Sequence, residues 1–527
     1  MDIAAVEQSF EDLLAAFGDL VVARTRGDAP GAPRTVPVLV RRYRARRRAF
    51  ATAFAEVDAS RLRGEDVRAA ENMRGTVAWL DDLEPTPGAA ATASVSHDAS
   101  VRRLRASVVR RYGAAAAAIT VGAERMDRLT VLARLATEPD AATRRALFLA
   151  LETVWRSVDG DGGNASPYRA LLRASAARWS AEGSPIEANA TSLGLPEGSI
   201  EGTLHEILAS WRALVGPDRV EPWDYWYTVG GAARQLEPLI SAVGMVAANH
   251  AYLASLGADP DALGISYDVV SRRGRPLVPV AFTIGMGVRD GIARPPWVFA
   301  TYEVGSLGNL VELLHESGHA LHYAAIRARP AFAEWTDGET AFLEGTADVV
   351  GWDATEPDWQ RRWLGAAADR RAALLDRYGA VMLDVAWALF ELELHRHPDR
   401  RPNDVWTELT TDGLGIEPHP EWSWWAMRGQ LVEQPGYMAN YALSPIVAAA
   451  IRARTLEVRG SWMTGDPGWY AFMSERLFAA GASRAPRDLL ETFLGEPLTA
   501  RPLLDDLRAG SEPAHPPRPP GTTGSDS

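Results

Sequence analysis

The chain contains no cysteine. Disulfides, thiolate metal sites and cysteine nucleophiles are therefore excluded. Lysine is absent as well, so every basic side chain is arginine, which removes Schiff-base chemistry and lysine general bases. An excess of positive charge is also missing. The net charge of −13 argues against a nucleic-acid binder. No run of about 18 uncharged apolar residues occurs, so no membrane span is expected. Residues 1–20, "MDIAAVEQSFEDLLAAFGDL", are amphipathic and acidic and lack a basic start followed by an apolar stretch. They do not read as a signal peptide, and the expected location is cytoplasmic.

The 527 residues are 47% hydrophobic, which is enough to fill a substantial core. Over the first ~150 residues alanine, arginine, leucine and glutamate recur at helical spacing and favour long helices. The basic run "VRRYRARRRAF" (40–50) reads as a solvated helix face. "PTPGAAATASVSHDAS" (85–100) breaks the pattern and reads as a linker. "VDGDGGNASPY" (158–168) is a second break, whose likeness to a calcium loop fails at Gly163. "PLVPVAFTIGMG" (276–287) and "PPWVFATYEV" (295–304) are β-branched, aromatic and bounded by Gly and Pro, as strands are. Helical texture resumes at Leu310 and runs almost to Leu507. The expected organisation is an N-terminal helical region (1–198) continuous with a catalytic region (199–508), then a disordered, Pro- and Gly-rich tail (509–527).

The chemistry concentrates in "VELLHESGHALHY" (311–323). On a helix, positions i and i+4 share a face. His315 and His319 can thus aim two imidazoles at one ion, with Glu316 beside them to take a proton from water. A catalytic zinc needs a third protein ligand. A histidine six residues past the second would serve, but position 325 is Ala; His322 is too close and reads as a packing or supporting side chain. "GETAFLEGTADVVGWD" (338–353) offers Glu344, with Asp348 four residues on to accept a hydrogen bond from a ligand histidine. Glu339 is the rival ligand but has no such partner.

"LLHESGHALH" followed by "FLEGTAD" resembles the glutamate-zincin peptidases of the thimet oligopeptidase and oligoendopeptidase F family, and "FLEGTAD" is also similar to the matching helix of angiotensin-converting enzyme. "PWDYWY" (222–227) and "YDVVSRRGRPLVPVAF" (267–282) resemble further segments of the oligopeptidases. The likeness spans roughly 200–450 and is thin before it.

The resemblance implies a mostly α, two-lobed ellipsoid with a deep channel and a small β-sheet next to the zinc-binding helices. It implies one zinc per chain, Glu316 as general base and short peptides as substrates. It also implies a C-terminal helix with two tyrosines and a histidine that bind oxyanion and substrate. In "RGQLVEQPGYMANYALSP" (428–445), Tyr441 matches the oxyanion tyrosine and Tyr437 stands one turn earlier. The chain departs from the pattern there: no histidine occurs from 420 to 441, and Met438 stands where a second tyrosine is common. The strand around Phe299–Glu303, including Ala300 and Thr301, is expected to offer an edge to an extended peptide. Arg428 reads either as a carboxylate holder or as an exposed arginine.

Two other functions remain open. One is a specialised amide hydrolase or tailoring enzyme acting on a peptide-like small molecule, favoured by the missing histidine. The other is a non-catalytic peptide-binding protein of the same fold. The complete set of His315, Glu316, His319 and Glu344 favours a hydrolase over a binder.

Overall fold

The computed structural model describes residues 3–27, 32–83, 97–163, 165–271, 278 and 280–511. The fold is mostly α, with small sheets. No helix among the described residues is long and apolar enough to cross a membrane.

The chain begins with three helices, α1 (Ile3–Arg26), α2 (Ala32–Ala55) and α3 (Glu65–Leu83). In α1, Val6, Phe10, Leu13, Phe17 and Leu20 recur at helical spacing and form one buried stripe. That stripe packs on Tyr43 and Phe50 of α2 and on Met73 and Val77 of α3, and the resulting core also takes in Ile326 and Phe332. The basic run lies in α2, where Arg42 and Arg46 pair with Asp19 and Asp12 of α1. A second, larger core runs from Val108 to Leu507. The cores therefore divide between Leu80 and Val108, and residues 108–198 share a core with the region after 199.

Of the linker at 85–100, positions 85–96 lie outside the described residues and a helix has begun by His97. At 158–168 one helix ends at Asp159 and the next begins at Pro167. The last helix, Arg501–Ser511, includes residues 509–511, and 512–527 lie outside the described residues.

The sheet near the site has three strands: β1 (Ser266–Val270), β2 (Phe282–Ile284) and β3 (Trp297–Tyr302). β3 is central, parallel to β1 and antiparallel to β2, with Phe282 opposite Phe299 and Thr283 opposite Val298. β3 is paired on both sides along Trp297–Phe299, and the pairing with β2 ends at Phe299, where the expected edge begins.

Four helices surround the site: α4 (Leu307–Ala325), α5 (Thr340–Gly351), α6 (Arg370–Arg396) and α7 (Met438–Arg459). α4 begins three residues before Leu310 because Ser306 accepts a hydrogen bond from the Asn309 N–H and caps it. Glycines let these helices touch through their backbones. A Cβ at Gly318 of α4 would stand 2.7 Å from the Ala347 carbonyl oxygen of α5. One at Gly345 would stand 2.6 Å from Val447 Cβ of α7.

Behind this crossing lies a buried ion pair. Arg452 of α7 bonds Asp353 at 2.5 Å and the Val349 carbonyl at 2.6 Å, while Tyr252 and Trp462 donate to Asp353 at 2.6 and 3.0 Å. Removing one partner of such a pair strands a buried charge. Asp353→Ala is expected to lose about 3–5 kcal/mol of stability. Chemical denaturation checks it, and a loss under 1 kcal/mol would show that the pair does not tie α7 to α5.

Candidate active site

His315 and His319 lie one turn apart on α4, their rings nearly perpendicular with centroids 4.7 Å apart. α5 crosses beneath them and delivers Glu344. Its Oε2 lies 3.2 Å from His315 Nε2 and 3.7 Å from His319 Nε2, while the two Nε2 atoms are 3.1 Å apart. One ligand atom from each of the three residues falls within 4.8 Å of the others. Gly351 makes room for this crossing, since a Cβ there would meet His315 Cβ at 3.1 Å.

Asp348, one turn after Glu344, bonds His315 Nδ1 at 2.8 Å. That contact fixes the tautomer in which Nε2 faces the cluster. Ser444 of α7 donates to the other Asp348 oxygen at 3.3 Å, so three helices hold one imidazole. Burial alone would lower the His315 pKa, yet Asp348 and Glu344 together raise it well above its ordinary value. Burial likewise opposes the charge on Glu344, and hydrogen bonds from both histidines override it and hold the carboxyl far below its usual range. The pocket is therefore built to stabilise extra positive charge. Two imidazole nitrogens and a carboxylate at these separations are a donor set that fits zinc.

Glu316 faces β2. The Thr283 hydroxyl lies 2.7 Å from Glu316 Oε2 and 2.8 Å from its carbonyl oxygen, which fixes the side chain beside the ligand histidines. Sequence reading missed Thr283, because only the sheet brings it 33 positions back to α4. It missed Glu312 too, whose pKa is raised by burial and then by the charge of Glu316.

The rival ligand Glu339 is occupied elsewhere, paired with Arg68 of α3 at 2.8 Å and bonded by Thr336 at 3.1 Å. His322 turns into the core. It stacks on Phe478 with centroids 4.7 Å apart and bonds Thr346 at 3.1 Å, and burial pushes its pKa down to about 3.

Tyr441 lies in the first turn of α7, the helix that crosses α5. Burial, and then the charge of Glu344, push its pKa up against a smaller pull from Arg428, so its hydroxyl stays a donor. Tyr437, at the N-cap of α7, packs edge-on against it, ring centroids 5.4 Å apart. Arg428 is half-buried and already holds a carboxylate of the chain itself. It pairs with Asp384 of α6 and lies 5.0 Å over Trp387 and 5.7 Å over Tyr441. Ala300 is 3% exposed, and the Thr301 hydroxyl accepts the Val278 N–H at 2.8 Å.

Partners that orient a ligand typically carry part of the metal affinity. Asp348→Asn is expected to weaken zinc binding about 10–100-fold. Competition against a chelator measures it, and unchanged affinity would show that the Nδ1 contact does not orient His315.

No known family model matches the chain, and no curated protein matches it. Solved structures do. An M32 carboxypeptidase from Deinococcus radiodurans R1 is 14% identical with a TM-score of 0.60, the match covering 97% of this chain and 98% of that one. A protein assigned as an oligoendopeptidase F is 16% identical with a TM-score of 0.56, covering 97% of this chain and 95% of that one. The likeness read from the motifs thus extends to nearly the whole fold, including the N-terminal helices.

Proposed function

We propose that the chain is a zinc metallopeptidase that hydrolyses peptide bonds in short peptides. The observation that carries this reading is the partly buried His315–His319–Glu344 cluster with a fixed carboxylate, Glu316, beside it. Those three residues would hold the ion, which when bound supplies a Lewis acid and lowers the pKa of water. Glu316 takes the proton of the attacking water and hands it to the leaving nitrogen. Thr283 keeps the Glu316 carboxylate in place for both transfers. Tyr441 donates to the oxygen that gains charge as the carbonyl becomes tetrahedral. Asp348 keeps His315 in the ligating tautomer. The peptidase names of the solved neighbours support the same reading.

A narrower substrate range, one peptide-like small molecule, is favoured by the absence of histidine from 420 to 441. Incubating the protein with mixed short peptides and reading products by mass spectrometry separates the two. Many products point to an oligopeptidase, none to a specialised hydrolase. Protein purified without chelator is expected to carry one zinc per chain by elemental analysis. Absence of any stoichiometric transition metal would overturn the assignment.

A further inference from the structure

A second carboxylate lies near the site and has no evident task in hydrolysis. Glu334 follows the 3-10 turn Pro330–Phe332 that comes after α4, and Tyr323, in the last turn of α4, donates to its Oε2 at 3.0 Å. Tyr323 belongs to the site's surroundings. Its pKa is raised well above normal by burial and by Glu334, with further contributions from Glu344 and Glu316.

Gly285 shows that space is reserved for this pair. Its backbone does not adopt the positive φ that calls for glycine. A Cβ there, however, would stand 2.8 Å from Glu334 Oε1 and 2.8 Å from Tyr323 Cδ1. The main chain of Glu334 is fixed too, since the buried Asn72 of α3 donates to its carbonyl at 2.7 Å.

The carboxylate has no counter-ion among the described residues. The arginines nearest in sequence are engaged elsewhere: Arg329 with Glu7 and Asp66, Arg327 with the carbonyls of Ala324 and Ile326. Burial pushes Glu334 up to about 7, opposed only by the Tyr323 hydrogen bond. A carboxylate held in place, largely buried and without a charged partner among the described residues is costly, and a cation relieves that cost.

Strand geometry gives the position of that cation. Thr283 and Gly285 face α4 from the same side of the β2 segment, as residues two apart do, and stand about 7 Å from one another. Thr283 holds Glu316, and Gly285 covers Glu334. An extended peptide with its scissile bond at Glu316 advances by the same ~7 Å over two residues. We propose that Glu334, with Tyr323, forms a subsite for a cationic group of the substrate, a guanidinium or ammonium two residues from the bond that is cut. The position rests on the peptidase reading; the binding does not.

The test is calorimetry on zinc-loaded, full-length Glu316→Gln protein, so that turnover plays no part. Alanine-based pentapeptides carrying arginine or citrulline at each position in turn are compared, and free with N-acetylated peptides. One position is expected to favour arginine by roughly tenfold or more, the scale of one charge-assisted hydrogen bond. Adding Glu334→Gln is expected to bring that ratio close to one. In the parent protein the preference should fade as pH drops through about 7, because the Glu334 carboxyl then takes up a proton. A preference confined to the free-versus-acetylated pair would identify the cation as the terminal ammonium. No charge preference in the parent protein, or one that survives Glu334→Gln, would overturn the proposal. Native protein that binds the basic peptides but cuts none would overturn the peptidase reading alone.

Discussion

Glu316→Gln is expected to keep its zinc and lose hydrolysis, with kcat falling about 10²–10⁴-fold, the usual contribution of a positioned general base. The substitution is close to isosteric. The amide can still accept from Thr283, so neither the α4–β2 contact nor the ligand histidines should move. What disappears is a group able to carry a proton from water to the leaving nitrogen. Elemental analysis should return the parent zinc content, and substrate affinity measured at equilibrium should change little. Near-full turnover in this variant would place the base elsewhere, with Glu312, one turn earlier on α4, the first residue to test.

Tyr441→Phe is expected to lower kcat on the order of 10²-fold, the cost of one oxyanion donor. The ring keeps its packing against Tyr437 and under Arg428, and only the hydroxyl is lost. A donor that acts in the transition state affects kcat far more than KM. Tyr437→Phe should act chiefly on KM if that residue only lines the substrate path. The reverse pattern would mean that the roles of the two tyrosines are exchanged. The zinc assignment would stand in either case, because His315, His319 and Glu344 come from α4 and α5.

The metal cluster was legible because its information is local. Helical spacing alone puts His315 and His319 on one face, and puts Asp348 where it supports what Glu344 joins. The contacts that required the fold are long-range. Arg428 looks like a free surface cation in sequence, yet Asp384, 44 positions earlier, neutralises it. Residues 297–302 read correctly as a strand, but their place in the middle of the sheet depends on β1 and β2 arriving from either side. How the helices share their cores was not legible either. Burial places α1–α3 in one core together with Val288, Ile326 and Phe332, and residues from Val108 on in the other. Glu334 carries no motif at all. Its interest lies in its burial beside Tyr323 and Gly285, contacts that only the fold brings together.

The glycine contacts at 318, 345 and 351 bear on how the ion is captured. With α4, α5 and α7 touching backbone to backbone, the ligand-bearing helices have little room to slide or splay. The conformational freedom that would otherwise be surrendered on coordination has already been surrendered during folding. On the proposed reading a zinc ion would enter a preorganised cage rather than assemble one, and stripping it is expected to leave near- and far-ultraviolet circular dichroism almost unchanged. Enlarging any of these glycines would press α4, α5 and α7 apart or push on His315, so affinity is expected to fall through displaced donors while every ligand remains in the sequence.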